Sequence, residues 1–104
     1  MNWLLSLFQD RTFGVARSPK WREVRKEHLK IQDKCQACLK KKDLEVHHII
    51  PFHKEKYLEL NPDNLITLCS SCHILFGHLG SFISHNIFVR EDALVMRSKI
   101  LNRP

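Results

Sequence analysis

The sequence predicts a small α+β domain built on a two-stranded hairpin, with a helix after it and further helices to either side. Three observations point there. The chain has 104 residues, enough for one domain with a small core. Two short runs, "LEVHHIIPF" and "NLITLC", have the β-branched, apolar character of strands. Two Cys-x-x-Cys pairs, Cys35 with Cys38 and Cys69 with Cys72, bracket that hairpin.

The opening "MNWLLSLFQD" has a short apolar run but neither the basic start nor the small-residue cleavage site of a signal peptide. It reads as a frayed or docked amphipathic turn, so residues 1–17 are expected to be a segment ahead of a single domain over 18–104. "SPKWREVRKEHLK" predicts a helix, with Ser18 as N-cap and Pro19 at the first helical position. Trp21, Val24, His28 and Ile31 fall on one face of it. Arg22, Arg25, Lys26 and Lys30 spread over the remainder, a surface suited to phosphates. "CQACLKKKD" predicts a metal knuckle and a basic turn.

The first strand closes at Pro51, and "HKEKYLELNPD" is a polar loop with Asn61-Pro62-Asp63 as its turn. The second strand leads into "SSCHILFGH", a helix ended near Gly77 or Gly80. A last helix is expected in "EDALVMRSKIL", its Ala93, Met96 and Ile100 stripe facing the core. No run of about 18 apolar residues exists to span a membrane. Without an export signal, a cytoplasmic protein is the expectation.

Charge is uneven. Residues 1–42 hold eleven basic against four acidic side chains, a net +7, while residues 43–104 carry −1. Such an excess fits a polyanion, most simply nucleic acid; the plain alternative is a solvated surface.

In a chain without an export signal, two Cys-x-x-Cys pairs read as metal ligands rather than disulfides. Zinc prefers tetrahedral sulfur and nitrogen, and each pair offers two thiolates from one tight turn. A structural zinc on Cys35, Cys38, Cys69 and Cys72 would therefore tie the ends of the hairpin together. Such an ion supplies on the order of 10 kcal/mol or more of folding free energy, against a net stability of roughly 5–15 kcal/mol for an ordinary domain. Three rivals fail. "CSSCH" matches a c-type haem attachment, but that chemistry needs export and leaves Cys35 and Cys38 idle. A redox pair wants a βαβ setting. A zinc deaminase would show His-x-Glu and Pro-Cys-x-x-Cys, whereas Leu68 precedes Cys69 here and neither His47 nor His48 begins an H-x-E.

The adjacent histidines pose the sharper question. On a strand, neighbours point to opposite faces: Leu44, Val46, His48 and Ile50 to one, Glu45, His47 and Ile49 to the other. The two rings are thus placed not to share an ion but to flank a phosphate, one serving a metal and the other a water. His73, directly after Cys72 at the start of a helix, can complete a metal site with His47.

"VHHIIPF", "NPDNLITLC" and "CSSCH" together resemble the HNH endonuclease motif of the ββα-metal (His-Me) finger nucleases, over a core motif at residues 35–78. "WREVRKEHL" resembles the basic helix ahead of many such domains. The resemblance implies two strands and a helix braced by zinc, and a metal-dependent endonuclease that hydrolyses phosphodiester bonds in DNA to 5′-phosphate and 3′-hydroxyl ends. It implies His48 as general base, Asn64 as the residue that holds it across the hairpin, and His47 and His73 as ligands of one catalytic divalent ion. His47 stands where many relatives have Asp or His, the Asp being commoner. Imidazole suits transition metals while magnesium prefers oxygen, so Mg, Mn, Ni, Co and Zn all stay open. Arg22, Arg25 and Lys26 are expected on the DNA backbone. Small stand-alone proteins of this kind are typical of bacteria and phages, which implies a bacterial or host-cell cytoplasm and a targeting or packaging partner.

The alternative is a non-catalytic zinc module that binds nucleic acid or protein, which needs none of His47, His48, Asn64 and His73. Of the other histidines, His53 is expected to touch phosphate or to be a plain loop residue. His78, five residues after His73, falls off its helical face and is expected to cap or pack. His28 reads as a helix-face residue and His85 as a loop residue.

Overall fold

The structure, a computed structural model, describes residues 16–104; the turn expected at the start of the chain lies outside the described residues. Helix α1 spans Trp21–Ile31, strand β1 Leu44–His48 and strand β2 Leu65–Cys69. A short α2, Ser70–Cys72, runs directly into a π-helical turn, His73–Gly77, and α3, Val89–Leu101, closes the chain. The hairpin loop carries two 3₁₀ turns, Lys56–Leu58 and Pro62–Asn64.

The strands pair antiparallel, Leu44 opposite Cys69 and His48 opposite Leu65. Every residue of β2 is buried: Gln32 and Gln36, at the end of α1 and in the cysteine knuckle, bond to Thr67, and α3 packs with its apolar residues. Ile66, Leu68, Val89 and Ala93 join Cys35, Cys69 and Cys72 in one apolar cluster. Burial of this apolar surface, about 25 cal/mol per Å², anchors α3, with Ala93 facing inward and Met96 packed beside it as the stripe predicts.

Helix α1 begins two residues later than expected. Lys20 is its N-cap with no side-chain cap; Ser18 instead uses its hydroxyl to accept from the Lys20 amide at 3.1 Å and its carbonyl to accept from the Trp21 amide at 3.2 Å. Pro19 therefore sits in the turn before the helix. The helix docks through His28, whose Nε2 donates to Gln32 Oε1 at 2.9 Å; that oxygen also accepts from the Thr67 amide at 3.0 Å. Ile31, expected on the buried face, is 82 % exposed, because the contact with β2 is made by Gln32 one position further on.

Among the described residues no helix is long and apolar enough to cross a membrane.

Candidate functional site

The four cysteines meet as their spacing predicts. Their sulfurs lie within 4.8 Å of one another, and Cys38 Sγ is 3.6 Å from Cys69 Sγ. Two thiolates on a tetrahedral zinc at about 2.3 Å stand roughly 3.8 Å apart, so the cradle fits such an ion. The knuckle is built by main-chain bonds: the Cys35 amide donates to the Lys40 carbonyl at 2.7 Å, and the Gln36 amide donates to the Thr67 carbonyl at 3.0 Å. Burial pushes the Cys35 thiol up, but amide donors from Cys38, Cys69 and Ala37 outweigh it and bring its pKa to about 7. Burial and the neighbouring sulfurs raise Cys38 and Cys72. A cluster in which Cys35 ionises readily while Cys38 and Cys72 resist is relieved by a cation that replaces their protons.

At the far end of the hairpin lies a cavity of about 210 Å³ lined by His47, His48, His53, His73, His78, His85 and Arg17. Strand alternation divides the neighbouring histidines as expected. His47 faces the π-turn, its ring centroid 4.9 Å from that of His73. His48 points the other way, 4.4 Å from the Trp21 ring.

His48 is held by its far nitrogen. Nε2 donates to the Glu59 carbonyl at 2.9 Å, which leaves Nδ1 as the ring's lone pair. Burial lowers its pKa below the ordinary histidine value, so it is neutral near pH 7 and able to take a proton. Asn64 clamps the same neighbourhood: its Oδ1 accepts from the Ile50 amide at 2.8 Å, and its Nδ2 donates to the Ile50 and Leu58 carbonyls at 3.0 and 3.1 Å. Asn64 thus fixes the backbone on both sides of His48 without touching its ring.

His73 and His78 face each other. His73 Nδ1 donates to Glu45 Oε2 at 2.5 Å, and His78 Nδ1 donates to the Ser84 carbonyl at 2.8 Å. Burial would raise the Glu45 carboxyl, but its bond to His73 prevails and lowers it. With both Nδ1 protons engaged, the two Nε2 lone pairs point at each other across 3.2 Å. Either one further proton shared between the rings or a cation between them joins two such nitrogens. Two nitrogens on a tetrahedral ion at about 2.0–2.1 Å stand roughly 3.3 Å apart, which matches. The carboxylate behind His73 is the outer partner that metal-bound imidazoles commonly have.

His47 completes the set. It is 2 % exposed, and its Nε2 has no hydrogen-bond partner among the described residues. Burial first, then the charges His73, His85 and His78 could carry, push its pKa down to about 3. A buried polar atom left unpaired costs free energy; a metal ion would satisfy it. Gly77 makes the close approach possible, because a Cβ there would lie 3.0 Å from His47 Cε1.

His78 is the clear departure from expectation: it does not merely cap or pack, but joins His73. His85 is a loop residue as expected, yet its ring turns inward, its centroid 4.5 Å from that of His78. His53 lines the cavity from its exposed rim. Arg17, unmarked by any motif, lies with its guanidinium 4.3 Å over the Phe52 ring and 3.6 Å from Glu59 Oε2. Arg22, Arg25 and Lys26 are exposed on α1, the helix whose Trp21 ring lies against His48, and the charge of Arg25 helps to lower Glu45.

Residues 35–76 match the family model for HNH endonuclease. No curated protein and no solved structure shows a significant match to the chain.

Proposed function

The central segment of this chain, residues 35–76, matches the family model for HNH endonuclease, and from that match we propose that the protein is a metal-dependent endonuclease hydrolysing phosphodiester bonds in DNA. The observation that carries the reading is the pairing of an unprotonated His48 Nδ1 with a neighbouring histidine cluster, in which the His73 and His78 Nε2 atoms face each other and the buried His47 Nε2 has no partner among the described residues. A pure binding module has no use for either.

His47, His73 and His78 are the residues to hold one divalent ion, which when bound offsets charge on the phosphate and on the leaving oxygen. His48 takes the proton of the attacking water at Nδ1. Its Nε2 bond to the Glu59 carbonyl stabilises the imidazolium that forms. Asn64 positions His48 through the backbone. Arg17, on the cavity wall, draws the phosphate in, and Arg22, Arg25 and Lys26 take flanking phosphates of the strand. Zinc on Cys35, Cys38, Cys69 and Cys72 holds the hairpin that carries all of this, within a single domain over residues 18–104.

Supercoiled plasmid incubated with the protein and a panel of divalent ions tests the proposal. Wild type should yield nicked circles. His48→Ala should still fold and bind DNA, yet nick about 10²–10⁴-fold more slowly, with part of the rate returned by added imidazole. Wild type inert with every ion on DNA and RNA alike would leave the binding module as the better reading.

A further inference from the structure

We infer that His85 is a ligand of the same ion as His47, His73 and His78, so that the centre is an all-imidazole shell selective for a borderline transition ion over magnesium. The inference rests on reading the histidine cluster as a metal centre.

One ring nitrogen each from His47, His78 and His85 lies within 4.8 Å of the other two, and His73 joins this trio through His78, their Nε2 atoms 3.2 Å apart. His85 stacks on His47 with ring centroids 5.2 Å apart and 21° between planes, and meets His78 edge-on. The residues on either side of it are pinned to the π-turn. The Ser84 carbonyl takes the His78 Nδ1 proton. Asn86, itself buried, donates its amide to the Gly77 carbonyl at 3.0 Å and its Nδ2 to the Phe76 carbonyl at 2.8 Å. A residue held from both sides is delivered into the cluster rather than left to swing across it. A main-chain bond to His48 steadies the ring as well.

Packing alone does not account for this arrangement. A stack of rings is better made from phenylalanine, since a buried imidazole nitrogen left without a partner, as at His47 Nε2, costs free energy. Four neutral nitrogen donors suit zinc, cobalt or nickel, whereas magnesium keeps oxygen ligands and waters. Four protein ligands also close a tetrahedral shell. A phosphate oxygen therefore reaches the ion only as the shell widens or a ligand yields, and His85 is the ligand carried on a loop.

Protein with zinc in its cysteine site should be titrated with Co²⁺, following both the visible absorption of the bound ion and the heat of binding. In His85→Ala, and in the ring-preserving His85→Phe, affinity should fall at least as far as the roughly 10–100-fold that loss of an outer-shell partner costs. The visible band should also weaken as solvent replaces nitrogen, while zinc content and circular dichroism match wild type. Magnesium in large excess should leave the wild-type cobalt spectrum unchanged. Wild-type affinity and spectrum in both variants would overturn the role of His85 while the metal centre stands. Displacement of cobalt by magnesium would overturn the all-imidazole shell. Wild type that takes cobalt only at the cysteines, revealed by thiolate-to-cobalt charge transfer, would remove the metal-centre reading and this inference with it.

Discussion

Each histidine of the site is distinguished by which ring nitrogen still carries a proton and what receives it. Four have a stated acceptor: Glu45 for His73, Ser84 for His78, Glu59 for His48 and the main chain of His48 for His85. His47 has a buried nitrogen with none among the described residues, and its proton affinity is correspondingly poor, with a pKa of about 3. An unfolded histidine titrates near 6.5, so below that pH the unfolded chain gains a proton that the folded chain refuses. The contribution of His47 to stability is therefore whole above about pH 6.5 and is lost as pH falls toward the folded value, at up to about 1.4 kcal/mol per pH unit. Urea unfolding of wild type and His47→Gln, both with zinc but no second ion, should show wild type losing stability relative to the variant as pH falls from about 7 to 5.5. A constant difference between the two would mean that His47 titrates normally. Much at this scale was legible in the sequence: the opposed directions of His47 and His48 follow from strand alternation, and the place of Asn64 across the hairpin from its position in the motif. Arg17 was not legible, because nothing local distinguishes it from the other basic residues; only the loop that brings Phe52 and Glu59 beside it does.

The element that matters most is the π-turn at His73–Gly77. At about 3.6 residues per turn, a residue five positions on is displaced by roughly 140° around an α-helix, which is why His78 reads from sequence as facing elsewhere. A π-turn, with its i to i+5 hydrogen bonding, widens the turn by nearly a residue and returns His78 to the side of His73. No periodicity count can anticipate this, since the wider turn is chosen by packing against His47 and by the bonds that Asn86 makes to it. Gly77 shows the constraint. Gly77→Ala should be neutral or slightly stabilising on helix propensity, by up to about 1 kcal/mol, yet its Cβ would meet the His47 ring at 3.0–3.2 Å. We expect unchanged zinc content and melting temperature but weaker binding of the second ion by roughly tenfold or more, read by calorimetric titration. Wild-type affinity in that variant would show that the ring can retreat without loss.

For the molecule as a whole, the cysteine spacing and the strand runs made the α+β architecture readable, while the end of α1 and the inward turn of the 81–88 loop depended on long-range contacts. A core this small leans on its cross-link. Stripping zinc with a chelator, or Cys35→Ala, should abolish cooperative unfolding, followed by circular dichroism; a well-folded protein without zinc would contradict the bracing role. The basic face of α1 makes a separate prediction. Replacing Arg22, Arg25 and Lys26 with Ala should flatten the slope of log affinity for duplex DNA against log salt by about 0.9 for each phosphate the helix no longer neutralises. An unchanged slope would place the DNA elsewhere. The hairpin register has a consequence for locating the ions. His47 sits opposite Ile66, three positions from Cys69, a separation of about 10 Å along the strand. A paramagnetic ion broadens nearby nuclear resonances far more than distant ones. Cobalt at the histidines would therefore erase the amide signals of β2 from the Leu65 end, and cobalt at the thiolates from the Cys69 end, so that the backbone amides of this one strand form a graduated scale reporting which centre the metal has entered.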